Sequence, residues 1–271
     1  MRYFLLLAAP ALLLGAARPS RRPAPAPLAP PPTTAPAPLA APGAVLSNAA
    51  RQALLARINL GRLWQHQPQK GTEDVLNGTF GYDGRRLEFV FLSVQPDAKS
   101  PGRYLVSGKF RCYGDVTPFR GSIEVQQVQR LPAELAREFE RSETLAAPTY
   151  CATGSFALRA SSAQGLGGRF DGRIALDFCL DKGGRAELAR YTLNPATRRG
   201  GLLFDGAWRE ADNTDAVPAL WKQDVAVIQQ VLTRFEIGDR DAHINPRYAR
   251  VGWNNFWKND EWWVEKSLAR R

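Results

Sequence analysis

Across residues 75–210, large apolar residues alternate with polar ones, and one short pattern keeps returning: large apolar, any residue, Gly, any residue, large apolar. It reads Leu76-Asn77-Gly78-Thr79-Phe80, Val106-Ser107-Gly108-Lys109-Phe110 and Phe119-Arg120-Gly121-Ser122-Ile123. It returns as Phe170-Asp171-Gly172-Arg173-Ile174 and Phe204-Asp205-Gly206-Ala207-Trp208, with a weaker copy in Ala152-Thr153-Gly154-Ser155-Phe156. The apolar positions and the Gly have one parity, so on a strand they share one face. A Gly on the buried face of a strand costs stability and needs a reason. Tight coiling of a small closed sheet supplies one, because the missing side chain lets strands bend and leaves room for a bulky neighbour.

The turn residues divide this region into strands near 75–82, 86–94, 103–111, 117–128, 152–160, 168–178, 186–192 and 201–209. Asp83-Gly84 and Lys182-Gly183-Gly184 supply hairpin turns. Eight strands suit an antiparallel up-and-down barrel, filled by side chains or holding one small ligand.

Helical spacing flanks the barrel. In residues 46–66, Leu54, Leu55, Ile58 and Leu63 predict an N-terminal helix, capped by Ser47 or Asn48 and placed across the barrel or in one end of it. Leu131, Leu135 and Phe139 predict a short mid-chain helix lying on the sheet. Leu220, Trp221, Val225, Ile228, Leu232 and Phe235 form an apolar stripe that predicts a C-terminal helix over 215–238, started by Asp215 and stopped by Gly238. A Trp-rich tail, 239–271, follows and is expected to pack on the barrel. The fold class expected is mainly β.

The N-terminus changes the picture of location. Tyr3 to Leu14 is an apolar run too short to span a bilayer, and Gly15-Ala16-Ala17 places small residues after it. This predicts a signal peptide over 1–17 and an exported chain: periplasmic, outer-membrane-associated or secreted. Residues 18–45 are rich in Pro and Ala and predict a disordered tether. Nothing later is apolar enough to cross a membrane as a helix. The formal net charge is +10, but the Arg residues are scattered and alternate with apolar ones. That favours a solvated outer face over a nucleic-acid surface.

Of three cysteines, Cys151 and Cys179 fall at one rim of the barrel with the outward parity. Pairing Phe156 with Ile174 sets them opposite each other, which predicts a Cys151–Cys179 disulfide and a free Cys112.

Chemistry is sparse. Trp253, Phe256, Trp257, Trp262 and Trp263, among Asn, Asp and Glu, have the composition of a sugar-binding or protein-binding surface, and Trp208 stands at the barrel mouth. The blander reading is that these rings cover the outer barrel wall or one barrel mouth, with their N–H groups satisfied locally. Asp260 and Glu261 are candidate carboxylates for hydrolysis, though sequence neighbours do not form a cleft. Asp239, Asp241 and Glu265 lie nearby in the sequence. His66 and His243 are far apart, and no zinc spacing, nucleophile elbow, phosphate loop or dinucleotide fingerprint occurs. No catalytic residue, metal ligand or cofactor is assigned. Asn77-Gly78-Thr79 matches a glycosylation triplet but lies on a predicted strand.

The Gly-x-aromatic units, above all Gly78-Thr79-Phe80 and Gly206-Ala207-Trp208, with a helix after the last strand, resemble the lipocalin and avidin type of small barrel. The likeness spans about half the chain. No Gly-x-Trp stands at the start of the barrel, as it does in lipocalins. The chain is also similar to exported bacterial proteins of unknown function. The resemblance implies a fold alone and carries over no binding residue. The function expected is non-enzymatic binding of a small apolar ligand or a glycan at the barrel mouth or tail. The alternatives are an envelope adaptor that binds another protein through its tail, and a hydrolase that uses Asp260 or Glu261.

Overall fold

The apolar ends of every copy of the Gly-centred pattern face the core in the computed structural model. It describes residues 43–137, 147–161, 165–211, 215–223, 231–234, 243–256, 258 and 260–265. The expected signal peptide, most of the tether and Trp257 lie outside these residues. The strands are β1 Leu76–Phe80, β2 Arg85–Pro96, β3 Arg103–Cys112, β4 Asp115–Arg130, β5 Thr149–Ala160, β6 Gly168–Leu180, β7 Ala186–Leu188, β8 Leu202–Arg209 and β9 Val217–Lys222. From β1 to β6 each strand pairs with the next. β6 then pairs with β8, β8 with β9, and β9 with β1, all antiparallel, so eight strands close into a barrel. The short β7 lies beside the last residues of β6, outside the ring. A separate ribbon pairs β10 Leu232–Arg234 with β11 His243–Ile244. Among the described residues no helix is long and apolar enough to cross a membrane.

The motif glycines sit where neighbouring strands come closest. A Cβ at Gly78 would land on the Leu220 carbonyl, and Gly172 and Gly206 face each other across β6 and β8 so closely that a Cβ on either meets the other strand's backbone. At Gly108 a Cβ would land on the Val90 carbonyl and against the Phe119 ring.

The interior is filled. Trp221 stacks on Phe89 at 4.1 Å and on Phe204 at 5.1 Å, and Phe156 meets it edge-on. Phe91, Phe110, Phe119 and Phe170 complete a core of nearly unexposed rings. One end is closed by the N-terminal segment. Here α1 Asn48–Leu55, capped by the Ser47 hydroxyl, is shorter than the helix predicted over 46–66. The chain leaves α1 after Leu55 and forms a tight turn over Leu60–Leu63 started by the Asn59 side chain. Leu54, Leu55, Leu60 and Trp64 join the barrel core, and the Leu60 N–H donates to the Tyr104 hydroxyl at 3.2 Å.

Three expectations are corrected. The predicted C-terminal helix over 215–238 begins instead as β9. Val217, Ala219 and Trp221 alternate as well as the helical stripe recurs, and closure decides between the two readings. The predicted seventh strand supplies only the three residues of β7, so without β9 the edges of β1 and β8 would stay unpaired. Leu232 falls in β10, while Val225, Ile228, Phe235 and Gly238 lie outside the described residues.

The described part of the predicted mid-chain helix, 131–137, is a single turn in which Leu135 and Ala136 donate to the Pro132 carbonyl. Leu131 instead continues the β4–β5 ladder by donating to Thr149. Phe139 lies outside the described residues.

The Cys151–Cys179 disulfide is absent, and all three thiols are free. Phe156 pairs with Gly172 rather than Ile174, a slip of two residues that leaves Cys151 opposite Asp177 and Cys179 opposite Thr149. Such diagonal neighbours stand about 7–8 Å apart, beyond ordinary disulfide reach. Leu131, Leu135 and Ala136 cover Cys151.

Candidate functional site: an arginine cleft under the tail

Outward parity on β2 turns Arg86, Glu88 and Val90 to the outer face of the wall, while Leu87, Phe89 and Phe91 fill the core. On β3 the outward residues are Lys109 and Arg111. Register sets Asn77 of β1, Glu88 and Arg111 in one row across the wall. Left in water these would form an unremarkable charged face. The C-terminal tail covers them instead.

The tail is fixed by two apolar anchors. Trp253 is fully buried with Val231, Ile244 and Tyr248, and its indole N–H donates to the Gly84 carbonyl at 2.8 Å. Trp263 packs on Val75 and Val90 of the outer wall, and its carbonyl accepts from Lys109 Nζ at 3.0 Å. Between these anchors aromatic rings lie on guanidinium groups: Phe256 is 5.1 Å from Arg86, and Trp262 is 5.1 Å from Arg111.

Beneath them the charges are tightly paired. Arg86 donates to Glu88 Oε1 at 2.8 Å and to Asn77 Oδ1 at 3.0 Å. One edge of Arg111 grips Glu88, at 2.6 Å from Nε and 3.0 Å from Nη2. Its other edge holds Asp260 of the tail through Nη1 and Nη2. Burial lowers the Arg86 pKa, with Glu88 working against that fall. At Arg111 burial also disfavours the charge, but the hydrogen bonds it donates to Glu88 and Asp260 outweigh that and the pKa rises. Arginine stays protonated in either case. The Arg111 hydrogen bond holds the Asp260 carboxyl below the ordinary carboxylate range.

Beside this cluster a cleft of about 250 Å³ opens. Arg86, Glu88 and Arg111 form its floor, Tyr113 of the β3–β4 turn stands on one side, and Asn254 and Asn255 of the tail stand on the other. Arg250 lies at its rim and is exposed. Tyr113 is half-exposed and adopts φ 58°, beside Gly114 at φ 93°. Two consecutive positive φ values make the two-residue turn that projects its ring, against which Arg85 stacks at 4.8 Å.

The residues singled out from sequence are thus divided. Trp253, Phe256, Trp262 and Trp263 gather on the β2–β3 wall, Trp253 and Trp263 as buried anchors. Trp208 is elsewhere, on β8 at the rim, 5.8 Å from Phe80. Asp260 is brought to the cleft edge, but as a carboxylate held ionised, the opposite of the raised acid that glycoside hydrolysis needs. Glu261 is exposed, Glu265 lies 3.8 Å from Lys109, and Asp239 and Asp241 fall outside the described residues. Among the described residues no group of His, Cys, Asp or Glu suits a metal ion. Asn77 of the glycosylation triplet is engaged by Arg86.

Sequence reasoning missed Arg86, Glu88, Arg111, Tyr113, Asn254 and Asn255. Charges of both signs at outward positions of two adjacent strands were the available signal, but they read as a solvated face until the tail is folded over them. A second polar cluster, buried on the opposite wall, centres on Asp177. It accepts from the Thr192 and Thr197 hydroxyls at 2.6 Å and from Asn194 Nδ2 at 2.7 Å, and so pins the loop after β7.

No family model matches the chain, and comparisons with characterised proteins and solved structures give no significant match.

Proposed function

We propose that the chain is an exported, non-enzymatic binding protein whose ligand is a sugar unit held in the cleft between the β2–β3 wall and the tail. The observation that carries this reading is a cleft of about 250 Å³ where guanidinium groups, two carboxamides and a half-exposed tyrosine converge. Sugar hydroxyls pair with such donors and acceptors, and sugar C–H faces stack on such rings. The volume falls just below the about 300–1,000 Å³ typical of drug-sized ligands, which suits one pyranose. The filled interior argues against an apolar ligand inside the barrel. Trp253 and Trp263 are used on the wall, which weakens the alternative of a tail that captures a protein partner.

Saturation-transfer NMR on the mature chain with a panel of neutral and acidic monosaccharides tests the reading. Binding should occur and should weaken at least tenfold in an Asn254→Ala/Asn255→Ala variant that melts like the parent. Absence of any sugar signal would overturn the reading, as would a signal indifferent to those substitutions.

A further inference from the structure

Arg111 is a guanidinium with two edges and two carboxylates. Glu88 holds the inner edge, and its side chain is 6% exposed. Asp260 holds the outer edge, and its side chain is 49% exposed. Glu88 is built into the barrel wall. Asp260 arrives from the tail, 149 residues away in sequence, and makes a two-bond fork of the kind an arginine offers any carboxylate.

We propose that Asp260 stands in for the carboxylate of the ligand: the sugar bound here is acidic, a uronate, and its carboxylate takes the outer edge of Arg111 as Asp260 swings out. This deepens the sugar-binding reading and rests on it. With Asp260 gone, Glu88 is the one carboxylate among the described residues that Arg86 and Arg111 share, so the described floor carries a net positive charge and Arg250 at the rim adds to it. The fork stays aimed when Asp260 leaves, because Glu88 grips its other edge at 2.6 Å. A uronate with its carboxylate in that fork would present its hydroxyls to Asn254 and Asn255. Neutral sugars would bind without displacing Asp260, and more weakly.

The test is calorimetric titration of the full mature chain, and of its Asp260→Asn and Arg111→Lys variants, with glucuronate, glucose and inorganic phosphate at low and high salt. Asp260→Asn should bind glucuronate about tenfold more tightly, since an internal competitor is removed. Its affinity for glucose should change far less than its affinity for glucuronate. Arg111→Lys should lose the preference for acid, because an ammonium cannot reproduce the fork. High salt should weaken glucuronate alone. On the unmodified chain, amide exchange near residues 258–265 should quicken with glucuronate and not with glucose, a readout that needs no variant. Equal affinities for glucuronate and glucose in Asp260→Asn would overturn the proposal, as would phosphate binding in preference to glucuronate or exchange unmoved by glucuronate. Binding of glucose without acid preference would sink this inference and leave the sugar-binding reading standing. Binding of no sugar at all would sink both.

Discussion

Trp221 is where the barrel with β9 and the predicted helix over 215–238 make the most different demands. In the barrel it is wholly buried and stacks on Phe89 at 4.1 Å and Phe204 at 5.1 Å. An aromatic side chain of this kind buries about 150–250 Å², which corresponds to about 4–6 kcal/mol of transfer free energy against an extended chain. A compact denatured state trims that figure. Among the described residues the indole N–H has no hydrogen-bond partner, so deleting it recovers about 1–3 kcal/mol. The cavity left among rigid rings works the other way. The net cost of Trp221→Ala should be about 3–5 kcal/mol, the usual range for emptying such a site. Trp221→Phe keeps the stacking and removes the unpaired donor, so it should cost under about 1.5 kcal/mol. Thermal melts followed by far-UV circular dichroism, with urea titrations beside them, measure both. At this chain length 1 kcal/mol moves Tm by about 2–4 °C, so the Ala variant should melt about 6–20 °C lower and the Phe variant within about 6 °C of the parent. A Trp221→Ala loss below about 1 kcal/mol with an unchanged urea slope would refute the reasoning, and residues 217–222 would then not form a barrel strand.

Three further outcomes follow from the same geometry. Gly78→Ala should destabilise by about 1–3 kcal/mol or more, because its Cβ meets the Leu220 carbonyl and Trp221 Cα on β9; a neutral melt would mean that β1 and β9 do not pair. Burial raises the Asp177 carboxyl pKa, and the hydrogen bonds from Thr192, Thr197 and Asn194 oppose the rise. The folded chain therefore holds that proton more tightly than the unfolded one, and the contribution to stability is greatest below about pH 4 and declines as pH rises through the raised folded value. Denaturation at several pH values should show that decline reduced in Asp177→Asn, and a stability difference that grows with pH instead would contradict the burial argument. Finally, burial pushes the Cys112 thiol up to about 11 and raises Cys151 further, while Cys179 is only half-buried. A disulfide reagent at pH 8 should label Cys179 first and the other two only on unfolding, and an intact mass two hydrogens short would restore the cross-strand bridge.

The wall of this protein was legible in its strands one at a time. Period-two alternation and the inward glycines are local properties of each strand, so the barrel and most of its strands were legible, as were the turns at Asp83-Gly84 and Lys182-Gly183-Gly184. Three things were decided only when distant segments met. The identity of the eighth strand was one, since 217–222 fits a helix or a strand equally until the free edges of β1 and β8 demand a partner. The β5–β6 register was another: a slip of two residues keeps every side chain on its proper face, so parity could not reveal it, yet it separates Cys151 from Cys179. The cleft was the third. Arg86, Glu88 and Arg111 become a buried charge cluster only because Trp253 and Trp263 fasten the tail across them. That contact spans 149 residues between Arg111 and Asp260, and no periodicity along the chain encodes it.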